Sequence, residues 1–422
     1  MFYAWGEYYF GMVKNHIIYN SYSPWRFDLG RAEGSFLFTD RGKRLIDFSS
    51  GWNVANLGWN NPEVSEAVIA QINRNVYAPM WTSDRAQNEY ARALTDVLPD
   101  RLSAVGRATG GTEANEMAFK MARAKTGRSR IIGIRDSYHG QSFGAIAAGF
   151  RPDYVKAIAP VVPNFTQLGY PSSDRSSLSP AAALAKFSSD LEAELTSGDV
   201  AAIITEAGIV TGWGTTSVAP RGYLQVVRDL SARHGALLIL DEVGTGFSRC
   251  GKLFALELEQ VTPDFISLAK GMSNGAVGIG AVVTTDEIAD ATYAKATLTS
   301  TFGWTPPACA AALKTLEIHQ RDHVWEKAAT DGAYLMRELR SQLKSTTAVK
   351  AVRGLGLEIG IELTDHIMVK DVLAKAFSLG LHIAETNEGT LQLMPPLTIE
   401  RATLDEGISI LVNVLSETAP AK

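Results

Sequence analysis

Several classes of protein are excluded by what this chain lacks. Its 422 residues contain only two cysteines, Cys250 and Cys309, far apart and with no CxxC pair. A disulfide scaffold or a structural zinc site is therefore not expected. The seven histidines form no HExxH-type spacing, and no metal is expected. No basic stripe accompanies the net charge of −5, so no nucleic-acid partner is expected. No apolar run reaches the ~20 residues of a membrane helix. The N-terminus, MFYAWGEYYFGMVKNH, is aromatic but broken by Glu7 and Lys14, unlike a signal peptide. The expectation is a cytoplasmic protein with no membrane association.

What is present is an ordinary globular composition, 46% hydrophobic and 20% charged. Alternation at Phe36, Phe38, Leu45, Ile46 and Phe48 predicts a hairpin turning at 40–42, and a helix follows through Val64, Val68, Ile69 and Ile72. Aliphatic runs at 130–134, 201–205, 236–240, 265–268 and 278–284 read as strands covered on both faces. Helical stretches between some of them predict a mostly parallel α/β sheet. From Pro307 a long helical pattern runs toward Leu343. Strands around a Gly-rich bend at 348–363, a helix near 370–379, a hairpin near 381–394 and a last helix from about 399 predict a smaller α+β domain. Residues 171–182, rich in Ser and Pro, read as a surface loop.

Four segments carry chemistry. LLILDEVGTGFSRCG ends an aliphatic strand in Asp241-Glu242, and ligands of open α/β sheets sit beyond the carboxyl ends of strands. Alone, such an acid could equally cap a loop. PDFISLAKGMSNG places Lys270 at another strand end, where burial would lower its pKa and favour attack on an aldehyde; a lone lysine is more often solvated. ATGGTEANEMAFKMAR opens a helix at Gly111-Thr112, a ready anion site or a plain cap. RDSYHG puts Tyr138 after a strand, able to stack on a flat cofactor or to fill a core.

In this order the four segments resemble the class III aminotransferases of the fold type I pyridoxal-phosphate (PLP) superfamily. Lys270 follows Asp241 by 29 residues, and DRGKRLIDFSSGWNVANLGW and TFGWTPPACAAALKTLE extend the likeness over nearly the whole chain. The resemblance implies a large PLP-binding domain with a mostly parallel, seven-stranded-type sheet between helices (56–306). It also implies an N-terminal segment (1–55) contributing to a small α+β domain (307–422). It implies that Lys270 holds PLP as a Schiff base and moves protons, and that Asp241 pairs the pyridine nitrogen. Val243 and Tyr138 would cover the ring faces, and Gly111 and Thr112 would bind the phosphate. Thr301 would reach the phosphate from the partner subunit of a homodimer. Arg353 and Gly354 match a common, structural feature of the small domain.

Two departures bear on substrate. Many relatives carry an arginine three residues before a Pro-Pro pair, where it forks onto the substrate α-carboxylate; here that residue is Gln392, which cannot form the ion pair. Relatives handling two kinds of substrate mask that arginine with a glutamate five residues after the equivalent of Glu206; here Thr211 stands there. Gly244 replaces a longer polar side chain near the cofactor's phenolic oxygen. The expected function is transfer of an amino group between an amine, amino sugar or ω-amino donor and a keto or aldehyde acceptor. A pocket of Trp52, Trp81, Glu206, Gln392 and Tyr138 is expected, with Arg26 or Arg85 available to a carboxylate donor. An epimerase, racemase or aminomutase on the same scaffold is the alternative. The aromatic N-terminus could close the neighbouring site or simply pack in the dimer.

Overall fold

The computed structural model describes residues 13–14, 16–18, 27–149, 155–172, 178–212, 215–366, 368–384 and 389–418. Arg26, most of the aromatic N-terminus and residues 173–177 of the Ser/Pro-rich segment lie outside the described residues.

Alternation within the aliphatic runs decides how the central sheet is covered. Leu238 and Leu240 enter one hydrophobic core, and Ile239 enters another on the opposite face. Ile203 and Ile204 divide in the same way. A strand buried on both faces has no polar side, which is why these segments read as continuous apolar runs.

Seven strands make this sheet. Their spatial order is Ala104–Ala108, Gly280–Thr284, Phe265–Leu268, Leu237–Asp241, Val200–Glu206, Arg130–Ile134 and Phe165–Leu168. Gly280–Thr284 runs antiparallel to both neighbours and the other pairings are parallel. Two successive reversals return Ala104–Ala108 to the direction of the parallel strands. The carboxyl ends of six strands therefore open on one edge of the sheet, and the site is built there.

A third core joins Ile46 and Phe48 to Leu335, Leu339, Ile359, Leu391 and Leu411 of the C-terminal part. Its sheets are Val349–Leu355, Glu358–Leu363 and Thr390–Leu393, and Leu381–His382, Arg44–Asp47, Phe36–Thr39 and Leu29–Glu33. The parallel pairing of Leu381–His382 with Arg44–Asp47 ties the N-terminal hairpin to the chain's other end.

Two expectations are corrected. The pattern from Pro307 is not one helix but two, Pro306–Arg321 and Val324–Gln342, broken where His323 takes a φ of +47°. The segment 381–394 is not a hairpin. Leu381–His382 pairs with Arg44–Asp47, while Thr390–Leu393 pairs with Glu358–Leu363, and a single bridge joins Ala384 to Gln392. Period-2 alternation identifies a strand but not its partner.

Both cysteines are buried and free. Among the described residues, no helix is long and apolar enough to cross a membrane, and no group of three or more metal-ligating side chains occurs.

Candidate active site

Register places the acids first. Asp241 lies opposite Glu206 on one side and Ser267 on the other. Lys270 follows Ser267 by three residues, and its backbone sits at φ +49°, a region few side-chain-bearing residues adopt. Lys270 Nζ lies 3.8 Å from the position a Cβ would take on Gly244, three residues beyond Asp241. The lysine and the strand-end acid thus belong to one site.

Asp241 is 2% exposed and both its oxygens accept hydrogen bonds, Oδ1 one and Oδ2 two. Oδ1 accepts the Val243 N–H (2.9 Å), and Oδ2 accepts Asn115 Nδ2 (2.8 Å) and faces His139 Nδ1 at 2.7 Å. Asn115 also donates to the His139 carbonyl (2.9 Å). One amide therefore ties a helix's first turns, a strand end and the loop after Tyr138 together. Neither Asn115 nor His139 was singled out from the sequence. The signal was their place inside TGGTEANE and SYHG, where both read as ordinary helix-start or loop residues.

The helix Gly111–Thr126 begins at Gly110 without a side-chain cap, so its first N–H groups remain free to bind an anion. A Cβ on Gly111 would come within 2.7 Å of a Val243 methyl, and one on Gly140 within 2.3 Å of Thr112 Oγ1. Beside Gly110 nothing lies within 4 Å of such a Cβ. Glycine is required where the backbones converge, and space remains next to the free N–H groups.

Beyond Lys270 the site is bounded by a second polar network. Glu206 is buried and accepts Thr211 N (2.8 Å), Thr211 Oγ1 (2.7 Å) and Tyr138 N (3.2 Å). Burial still pushes its carboxyl above the usual range. Gln392 is wholly buried and joins Trp52, Glu358 and Thr211. Glu206 and Gln392 thus support the pocket from beneath and do not line its surface, because neighbouring side chains take up their polar atoms. Tyr138 is 37% exposed, Trp52 46% and Trp81 85%; Thr301 is exposed beside exposed Phe302. Arg85 is exposed and paired with Glu89 at 2.7 Å. Arg353 is a clamp between layers, donating to the Thr216 (2.7 Å) and Thr215 (2.8 Å) carbonyls and pairing with Glu362. Gly354 runs so close to the next strand that a Cβ would lie 2.3 Å from the Glu358 carbonyl.

Residues 17–415 match the sequence pattern of the family Aminotransferase class-III. The chain belongs to that family. Similar curated proteins are the acetylornithine aminotransferases of Methanothermobacter thermautotrophicus (33% identical, 96% of this chain and 98% of that one) and Bacillus subtilis (32%, 94% and 97%). Similar solved structures include an (S)-enantioselective omega-transaminase from Thermomicrobium roseum (TM-score 0.87, 31% identical, 93% of each chain covered). Another is an amine transaminase from an uncultivated Pseudomonas species in its PLP-bound form (TM-score 0.89, 28%, 94% and 96%).

Class-III aminotransferases are PLP-dependent, and the residues present fit that group. The uncapped helix end has open space beside it for a phosphate, and Asp241 is held at the sheet edge by three donors. Asn115 Oδ1 and His139 Nε2 are buried there without partners.

Proposed function

We propose that this aminotransferase takes its amino group from a donor that is not held by an α-carboxylate: an amine, an amino sugar or an ω-amino compound. The acceptor is a keto acid, ketone or aldehyde, and the two half-reactions alternate at one site. Lys270 would hold the cofactor through its side-chain nitrogen, and that nitrogen, once free, would carry the proton to and from the donor carbon. Asp241, oriented by Asn115 and His139, would pair with the cofactor's pyridine nitrogen and favour its protonated form. When bound, PLP supplies the electron sink for the bond broken at that carbon. Gly111, Thr112 and the helix end would hold the phosphate, and Val243 and Tyr138 would flank the ring.

The reading of the donor rests on Gln392. Its side chain is neutral and buried, and both amide hydrogens are taken by Glu358 Oε1 (2.6 Å) and the Thr211 carbonyl (3.3 Å). Nothing at that position can form a forked ion pair with a carboxylate.

The enzyme works as a homodimer in which Thr301 completes the partner's phosphate site. Supporting this, Trp81, Phe302, Val76 and Ile69 are large exposed hydrophobics, and Tyr77 and Phe302 pack with ring centroids 6.2 Å apart. Its place is the cytoplasm.

A spectroscopic donor screen of the holoenzyme tests the reading. Conversion of the cofactor absorbance by amines or amino sugars, faster than by common α-amino acids, is the expected result. A common α-amino acid as the fastest donor, with Gln392→Ala leaving amine donors unaffected, contradicts it.

A further inference from the structure

Residues 296–304, the loop that carries Thr301, are fastened to the helix end proposed to hold a phosphate in the same chain. Trp304 is the anchor. It is 1% exposed, its backbone takes a φ of +62°, and its ring packs on Tyr90 with centroids 5.0 Å apart. Trp304 Nε1 donates to the Gly280 carbonyl (2.7 Å), and the Trp304 carbonyl accepts Gln87 Nε2 (2.7 Å). Gly280 lies directly against Gly110, since a Cβ on Gly280 would fall 2.5 Å from the Gly110 carbonyl. A Cβ on Gly303 would fall 2.7 Å from Ser300 Oγ and 2.8 Å from the Arg107 carbonyl. The loop is therefore folded onto the strand Ala104–Ala108 and the start of the helix after it, with Thr301 and Phe302 exposed.

A carboxylate stands at this join. Glu113, in the first turn of the helix Gly111–Thr126, folds back on Thr109. Its Oε2 accepts both the Thr109 N–H (2.6 Å) and the Thr109 hydroxyl (2.7 Å). The Ser300 hydroxyl also bonds to this side chain. Partial desolvation opposes the charge of Glu113, yet the Thr109 and Ser300 donors and the Lys120 charge hold its carboxyl below the usual range. Further along the same helix, Lys120 Nζ reaches the Thr297 carbonyl (3.4 Å), and Leu298 packs against the core that contains Met117 and Met121.

An acid in the first turn of a helix is ordinarily favourable, because it meets the positive end of the helix dipole. Here the same helix end is proposed to receive a phosphate, and a like charge in that turn opposes the anion. An ionised carboxylate only accepts hydrogen bonds and gives a phosphate none. Nor is Glu113 an ordinary capping-box acid, which would accept the N–H of the N-cap residue. The N-cap is Gly110, and Glu113 reaches past it to Thr109. What Glu113 holds together is the residue that enters the helix end and the residue just before Thr301. The position of Thr301 is thereby set by a group that belongs to the phosphate-binding helix.

We propose that Glu113 is a positioning residue for two phosphate sites at once: through Thr109 it shapes the helix end of its own subunit, and through Ser300 it sets Thr301 and hence the site of the partner subunit, so that cofactor binding at the two sites is mutually reinforcing. This rests on the homodimer reading above, in which Thr301 completes the partner's phosphate site. A phosphate that orders one helix end also orders Thr109 and Glu113. Ser300 and Thr301 then have less freedom left to lose when the second site fills, and the second binding event is favoured.

The test uses purified hybrid dimers in which one subunit carries Lys270→Ala, so that borohydride traps PLP only on Lys270 of the other, reporting subunit. Trapped PLP, measured across a series of PLP concentrations after equilibrium dialysis, gives the affinity of that one site. Glu113→Ala added to the Lys270→Ala subunit leaves the reporting subunit's sequence untouched. It should nevertheless weaken PLP at the reporting site by about tenfold, as the loss of a hydrogen bond to a charged group implies. Ser300→Ala in the same place, which spares the Thr109 contacts, should also weaken it. A weakening seen only when Glu113→Ala is in the reporting subunit confines Glu113 to its own helix end and overturns the proposal. So does an affinity that neither Glu113→Ala nor Ser300→Ala changes. Thr301→Ala in the Lys270→Ala subunit separates this inference from the reading it rests on. If Thr301→Ala weakens the reporting site and Glu113→Ala does not, the inference falls and the shared-site reading stands. If Thr301→Ala has no effect, the shared-site reading falls and the inference falls with it.

Discussion

Asp241 and Glu358 are both buried acids, and they are held in place by different routes. Asp241 ends a central strand, its register partners are Glu206 and Ser267, and one of its donors is the N–H of Val243 two residues on. Glu358 begins a strand in the other part of the molecule, and Asn53, which donates to it, is 305 residues away in sequence. Gln392 is held to Trp52 across 340 residues. The surroundings of Asp241, proposed to meet the cofactor, are therefore a property of one sheet edge. The network of Trp52, Asn53, Glu358 and Gln392 exists only when the two ends of the chain have packed together.

This contrast orders the expected effects. Asp241→Asn turns an amide toward donors that need an acceptor. Breaking a buried charged network of this kind costs roughly 3 kcal/mol or more, so kcat should fall about 100-fold with every donor alike. An Asp241→Asn enzyme with altered donor ranking and near-normal kcat would erase the distinction between the two acids.

Gly111→Ala probes the cradle. The added methyl would sit 2.7 Å from Val243, and overpacking of this degree costs about 1–3 kcal/mol. Weaker PLP binding, by about tenfold in equilibrium titration, is expected with the donor ranking preserved.

A smaller effect concerns Glu242, which turns away from the site and accepts the N–H groups of Ala255 (2.6 Å) and Leu256 (2.7 Å). Burial raises its carboxyl from 4.5 to about 8. A folded-state value above the unfolded one means that its contribution to stability is complete below pH 4.5 and is lost as pH rises through 8. The slope between those limits is roughly 1.4 kcal/mol per pH unit. Glu242→Gln should flatten the decline of Tm across that window, and an unchanged slope would assign the decline to other groups.

The same contrast explains what could be read from the sequence. Lys270 and Asp241 each follow an aliphatic run within a few residues, so strand ends and motif spacing reveal them together. Ala104–Ala108 escaped because AVGRA has only one large apolar residue, Val105, although it carries the chain into the helix proposed to hold the phosphate. The break at His323 has no glycine or proline to announce it. Glu358 alternates with Gly360 and Glu362, the pattern of a solvated strand face, yet it is fully buried because Asn53 and Gln392 cover it. Groups that meet only through tertiary packing leave no local trace, which is why the burial of Glu358 could not be read from its own strand.

The most direct test of the account is borohydride reduction of the holoenzyme followed by peptide mapping. A reduced pyridoxyl phosphate on the peptide containing Lys270, and its loss in Lys270→Ala together with a rate fall of about 1000-fold or more, is the predicted result. A label on another lysine, or a Lys270→Ala enzyme that still transfers amino groups at the wild-type rate, would contradict it.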